Sequence, residues 1–265
     1  MSNPHLPAEI LDHIIEDLHD AKDALWNCCL VSKSWIPRTR KHLFADIKFT
    51  AKKLQSWQEN FPDPSTSPAR YTKTLLISCP QLVTAADSEA GGWVTGFSRV
   101  ARLEVRADGS FVNPVSFVPF HGFSPLIKSL SVTLFTLSSP HIFDLILSFP
   151  LLEDLAVKTI SDALTDIDGS GWLLAAARSS STPMFTGSLN LLWAEMKPVT
   201  RWLLALPGGI HFRKLIGRWS HEEDIPLMMA LVERCSHNLE SLVITYGPGK
   251  SIRHLRPHKI THYCF

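Results

Sequence analysis

A leucine recurs along most of this chain at nearly constant distance, each time followed two positions later by a residue that is usually aliphatic. The instances are TKTLLI at Leu75, VARLEV at Leu103, IKSLSV at Leu130, LEDLAV at Leu155, TGSLNL at Leu189, FRKLIG at Leu215 and LESLVI at Leu242. The separations are 28, 27, 25, 34, 26 and 27 residues. A period of this length holds one strand, one helix and a pair of turns, the unit of a stacked strand-helix repeat. The alternative is a generic α/β layer in which the spacing is coincidental.

The segments between the leucines support helices. In KPVTRWLLAL, Pro198 suits a first turn and Val199, Trp202, Leu203 and Leu206 fall at i, i+3, i+4 and i+7. Ser139 and Pro140 open a similar stretch with Ile142, Leu145, Ile146 and Phe149, and Pro226 opens one with Met228, Leu231, Val232 and Cys235. Each ends a few residues before the next strand, so the phase is kept.

Ahead of the repeats, Thr50 is placed to cap a helix carrying Leu54, Trp57 and Phe61 on one face, and PDPSTSP follows as a loop or boundary. The first fifty residues have a different pattern. Pro7 stands at a helix start, behind which Ile10, Ile14 and Leu18 recur every four residues, with Leu11 and Ile15 widening the stripe and Glu9 and Asp12 suiting the positive end of the helix dipole. Leu25, Trp26, Cys28, Cys29, Leu30 and Val31 lead to Trp35, and Pro37 interrupts before Leu43 and Phe44, giving two or three short helices. A unit of about 45 residues buries too little surface to hide all these groups by itself, so they face either a partner or the rest of the chain.

The strings LPAEILDHIIEDL and CCLVSKSWIPRTRKHLF tip that balance. From Leu6 to Ile47 they resemble the F-box motif, in the style of the large F-box families of fungi: a Leu-Pro-x-Glu-Ile start, aliphatics every four residues, a Val-x-Lys-x-Trp block and a late His-Leu-Phe. The resemblance implies a three-helix domain that docks on the Skp-family adaptor of a cullin-RING ubiquitin ligase. Carried over by motif position, Leu6, Pro7 and Ile10 contact the adaptor from the first turn, and Val31, Lys33 and Trp35 from the second block. Ile14, Leu18, Leu30 and Leu43 serve equally as internal core. Ser32 stands where the family often has Cys.

The repeats behind this segment are similar to the irregular leucine-rich repeats often found after an F-box. The ladder asparagine of regular repeats is missing, its places being held by Phe135, Ile160 and Gly247. The expected fold class is therefore α/β: residues 1–49 as a small all-helical F-box, 50–69 as a helix and Pro-rich linker, 70–249 as a leucine-rich-repeat-like solenoid for substrate recognition, and 250–265 as a disordered tail. The last stretch, GPGKSIRHLRPHKITHYCF, is too polar and proline-broken to cap a solenoid, so the array reads as ending early.

Composition narrows the function classes. With Lys+Arg 26 against Asp+Glu 25, the chain of 265 residues has no overall field to draw in nucleic acid or an anionic membrane. The opening MSNPHLPAEILDH lacks the basic start and apolar core of an export signal, and the uncharged stretch from Gly109 to Ile127 is broken by Pro114, Pro119, Gly122 and Pro125, so a cytoplasmic or nuclear protein without a membrane span is expected. Five cysteines, Cys28, Cys29, Cys79, Cys235 and Cys264, form no CxxC pair and read as reduced thiols.

Catalytic and cofactor motifs fail on inspection. GPGKS would need Gly where Ile244 stands to be a phosphate loop, and HEEDI would need His where Ile225 stands to be a zinc helix. His254, His258 and His262 beside Cys264 are separated by the helix-breaking Pro257. The basic run Lys33, Arg38, Arg40, Lys41 and His42 is nearly cancelled by the acidic first helix with Glu9, Asp12, Glu16, Asp17, Asp20 and Asp23. Trp93, Trp172, Trp193 and Trp219 are candidate substrate anchors or core.

The resulting expectation is a non-enzymatic substrate receptor with no cofactor and no metal. It binds a Skp-family adaptor through the F-box, through that a cullin-RING ligase, and an unidentified protein substrate through the repeats. The competing readings are a repeat scaffold acting outside any ligase and an enzyme hidden in the repeats, which would show a deep pocket with convergent titratable groups.

Overall fold

The structure, a computed structural model, describes residues 7–78, 91–106, 123–134, 141–159, 183–192, 197–219, 224–246 and 250–255. Three short helices open the chain: α1 (Ala8–Asp17), α2 (Lys22–Val31) and α3 (Ile36–Leu43). Pro7 caps α1 rather than beginning it, its carbonyl accepting from the N–H groups of Ile10 and Leu11 at 3.1 and 3.2 Å. Pro37 does not interrupt the helical pattern as expected; it lies in the first turn of α3, where its missing N–H costs nothing. Ile15, Leu25 and Leu43 form a small core of their own, with Leu18, Cys29, Trp35 and Phe44 packed on it. The Cys29 thiol and the Thr39 hydroxyl, 2.9 Å apart, tie α2 to α3, while Thr39 donates back to the carbonyl of Trp35.

The rest is mixed α/β, as the expected class requires at its coarse level. Nine strands form one sheet in strict sequence order: β1 (Asp46–Phe49), β2 (Thr74–Ser78), β3 (Arg102–Arg106), β4 (Ser129–Leu134), β5 (Asp154–Thr159), β6 (Ser188–Leu192), β7 (Lys214–Trp219), β8 (Ser241–Tyr246) and β9 (Lys250–Leu255). The first eight are parallel. The seven recurring leucines stand in register as one continuous row, Leu75 beside Leu103, Leu130, Leu155, Leu189, Leu215 and Leu242, each at most 4% exposed. Period-2 alternation sends the aliphatic two positions on to the same face, so Ile77, Val105, Val132, Val157 and Leu191 make a second buried row.

Helices α4 (Ala51–Asn60), α5 (His141–Leu147), α6 (Lys197–Leu204) and α7 (Ile225–Cys235) complete the described elements with two 3-10 segments, Pro68–Tyr71 and Gly91–Gly96. The periodic residues of α5, α6 and α7 are the buried ones, among them Ile142, Leu145, Trp202, Leu203, Leu231 and Val232, and they share one core with the leucine rows. Thr50 stands at the N-cap of α4 but caps it without a side-chain hydrogen bond.

The described residues show a mixed α/β sheet and not the expected strand-helix solenoid. Between β2 and β3 the described residues hold a 3-10 segment in place of an α-helix, and β9 turns back antiparallel on β8. Two boundaries also move. Asp46–Phe49, expected inside an all-helical unit, is the first strand, because Ile47 and Phe49 alternate like the other repeats and pair with Leu75 and Ile77. Lys250–Leu255, expected at the start of a disordered tail, pairs with β8, whose backbone groups would otherwise lie open at the sheet edge.

Phe135, Ile160 and Gly247, the places of the missing ladder asparagine, lie outside the described residues, and a regular bonding pattern is found instead at the strand starts. The carbonyls of Ala45, Lys73, Ala101, Lys128 and Arg213 each accept two successive N–H groups from the start of the next strand, at 2.7–3.1 Å. The step from β5 to β6 breaks this rule. There the carbonyl of Glu153 receives Gly187 alone, while the N–H and hydroxyl of Ser188 both donate to Asp154 Oδ1, at 2.6 and 2.7 Å. This is also the one interval of 34 residues.

Candidate functional site

Of the site residues inferred from sequence, Ile10 lies on α1 and Val31 ends α2, Pro7 and Trp35 stand at the N-caps of α1 and α3, Lys33 lies in the turn between α2 and α3, and Leu6 lies outside the described residues. α2 explains why apolar side chains are left outside. At 100° per residue, Leu25 and Cys28 point one way, Leu30 lies on the far side of the helix, and Val31 stands on its flank, about 90° from the buried pair. Leu25 is fully buried, whereas Leu30 is 85% and Val31 67% exposed. Trp26, between the two faces, is 56% exposed. On α1 the buried side chain is Ile15, not the Ile10–Ile14–Leu18 stripe that the spacing indicated: Ile10 and Ile14 are exposed and Leu18 is half-buried.

Pro7 and Lys33 are exposed; Trp35 is half-buried against the small helical core, so it supports the face more than it presents itself. Five of the nine exposed large apolar side chains among the described residues, Ile10, Ile14, Trp26, Leu30 and Val31, thus belong to two helices. Ile14 and Leu30, which the sequence left open between adaptor and core, are exposed, and Trp26, not assigned to the adaptor from sequence, is exposed too; the helical phase of residues 22–31 was the signal that placed Trp26 outside.

Part of the charge of this unit is paired internally. Arg38 pairs with Asp12, Lys41 Nζ lies 3.3 Å from Glu16 Oε1, and His42 Nε2 lies 3.1 Å from the same oxygen, an ion pair when the imidazole is protonated. Burial by itself would raise the Glu16 carboxyl, but the hydrogen bond from Lys41 and the charges of His42 and Lys41 together hold it below its usual range. Three of the five residues of the basic run, Arg38, Lys41 and His42, are therefore helix-to-helix contacts to α1.

Beneath this unit, an apolar cavity of about 160 Å³ lies between α2, α3 and the linker, lined by Trp26, Cys29, Leu43, Phe44, Phe61 and Pro68 among others. A second, open cleft of about 630 Å³ lies where α6 and α7 end, with His211, Glu233, Arg234 and His237 on its walls. Its lining contains no Ser, Thr, Cys or Lys to act as a nucleophile.

Trp93 is 8% exposed in the main core and is no substrate anchor; Trp172 and Trp193 lie outside the described residues. His221, Glu222, His258, His262 and Cys264 lie outside them as well. Among the described residues there is no cluster of three or more metal-ligating side chains, and no helix is long and apolar enough to cross a membrane. No family model, no curated protein and no solved structure matches the chain.

Proposed function

We propose that this chain is the substrate-recognition subunit of a Skp-cullin-F-box ubiquitin ligase. In this reading α1–α3 are the F-box and dock on a Skp-family adaptor, and each strand with its following segment is one unit of an irregular leucine-rich repeat that receives a protein substrate. The observation that carries it is the set of exposed apolar side chains on α1 and α2. Ile10 and Val31, assigned to the adaptor by motif position, are 46% and 67% exposed beside Leu30, in a unit that has already filled its own core with Ile15, Leu25 and Leu43. An unpartnered apolar face next to a completed core is what a docking surface requires. The chain then acts by proximity, raising the effective concentration of substrate lysines near the assembled ligase.

Co-purification of the full chain with a Skp-family adaptor tests this. Wild type is expected to form a stable complex, and an Ile10→Ser/Val31→Ser variant with an unchanged circular dichroism spectrum is expected to lose it. Absence of binding by well-folded wild type would transfer the chain to a scaffold role outside the ligase.

A further inference from the structure

The leucine rows and the helices occupy one face of the sheet, and the described helices leave the other open: Leu76, Ile216 and Val243, which point that way, are half-exposed and pack on neither core. The residues one before, one after and three after the leucine row form this open face across β1–β8. They carry six cations, Lys48, Arg102, Arg106, Lys158, Lys214 and Arg218, against three acids, Asp46, Glu104 and Asp154. The whole chain has a net charge of only +1, so its positive charge is gathered here.

Two of the three acids are already engaged. Glu104 Oε1 lies 2.6 Å from Arg106 Nε, and Asp154 receives both donors of Ser188. Arg102, Lys158 and Lys214 have no acidic partner among the described residues. Between the flanking cations of β3 and β7 the floor is small and hydroxylated, with Ser129, Ser131 and Thr133 on β4 and Ala156 on β5. On β6 the Asn190 side-chain oxygen is buried without a hydrogen-bond partner. Towards β8 the face becomes apolar at Ile216 and Val243, which are paired in register.

We infer that this face binds an acidic polypeptide segment with an apolar residue at one end, which, given the receptor reading above, is the substrate's recognition element. Cations and hydroxyls suit carboxylates, and the apolar Ile216 and Val243 beside them suit an aliphatic side chain, which an isolated inorganic anion does not supply. None of the open-face positions on β1–β8 carries an aromatic side chain, so the stacking platform that single-stranded nucleic acid uses is missing from them. At about 4.8 Å per strand the charged span from β3 to β7 is roughly 19 Å, the reach of about six extended residues.

The probe is a fluorescein-labelled peptide of about eight residues, about six of them with Glu at alternate positions to match that span and Leu-Val at one end. Its binding to the full chain is read by anisotropy beside a Gln-for-Glu twin. Wild type is expected to bind the Glu peptide, to reject the twin and to weaken as salt is raised. Arg102→Glu/Lys214→Glu should weaken binding about tenfold or more, whereas Lys52→Glu/Lys53→Glu on α4, the same change of net charge on a distant exposed helix, should not. Equal binding of the two peptides, no binding of either, insensitivity to the β3/β7 reversal, or tighter binding of an oligouridine of equal charge would each overturn the inference. Adaptor capture by the charge-reversed variant separates the two conclusions. Wild type that holds the adaptor but not the peptide refutes the acidic-segment inference alone, and wild type that holds the peptide but not the adaptor refutes the ligase role alone.

Discussion

Leu25 and Leu30 stand on one helix five residues apart and are expected to respond oppositely to truncation. Leu25 is fully buried between Ile15 and Leu43, so Leu25→Ala should cost about 2–5 kcal/mol of stability, the usual range for a leucine removed from a core that cannot collapse onto the gap. Leu30 is 85% exposed. Complete burial of a leucine contributes about 1.5–3 kcal/mol, so only about 0.2–0.5 kcal/mol of that is realised in the free chain. The remaining 85%, about 1.3–2.5 kcal/mol, becomes available when an adaptor covers the face, which corresponds to about 9- to 70-fold in Kd. Leu30→Ala should therefore leave the urea midpoint nearly unchanged and weaken adaptor binding by that factor in isothermal titration. A loss of more than about 1 kcal/mol of folding stability from Leu30→Ala would identify an internal residue. Unchanged stability with less than about a twofold change in Kd would remove Leu30 from the interface and the apolar-face argument with it.

Gly187 is expected to tolerate no side chain: an added Cβ would meet Asp154 Oδ1 at 2.4 Å and the Glu153 carbonyl at 3.0 Å. Asp154 can swing aside only by giving up both bonds from Ser188, so Gly187→Ala should destabilise by about 2–4 kcal/mol, and by clearly less when measured in an Asp154→Ala background; equal costs in the two backgrounds would refute the contact. Burial pushes the Cys235 thiol up to about 11 from 9.0, against a smaller lowering by a backbone hydrogen bond at Phe212. The unfolded chain therefore ionises this thiol first, and the stability it contributes is whole below pH 9 and declines as pH rises towards 11. Thermal midpoints of wild type should fall faster than those of Cys235→Ala across that window, and parallel curves would contradict the assignment.

The leucine spacing was enough to place seven strands in register, because each strand's position is fixed by one residue type whose burial the sheet cannot do without. The helices α5, α6 and α7 were legible for the same reason: their 3.6-residue pattern and their prolines agree. β1 was not, since DIKF is short, carries Ile in the leucine position and follows a motif that reads as helical throughout. The buried side of α1 was illegible for a different cause. Ile10, Ile14, Leu11, Ile15 and Leu18 cover so much of the helix that either stripe can face inward, and the choice is made by α2 and α3, which supply Leu25 and Leu43 opposite Ile15. The Asp154–Gly187–Ser188 contact joins residues 33 and 34 apart and has no periodicity to announce it.

The two faces argued for above are joined by aromatic rings rather than by a free linker. Trp26, on the exposed side of α2, meets Phe44 edge-on at 6.4 Å; Phe44 meets Trp57 of α4 at 6.0 Å; and Trp57 meets Phe49 of β1 at 5.4 Å. Phe49 in turn contacts Trp93 and Phe97 inside the main core. β1 itself pairs with β2, so the last ring of the series is held by the sheet whose far side carries Arg102 and Lys214. A receptor whose docking unit swung freely would present its substrate over a wide volume and lose effective concentration at the ligase. Here each pair of rings adds about 0.5–1.5 kcal/mol to an otherwise small junction. The cavity of about 160 Å³ beside Phe44 marks the weakest point of that junction, so orientation between the two faces rests mainly on the Phe44–Trp57–Phe49 contact.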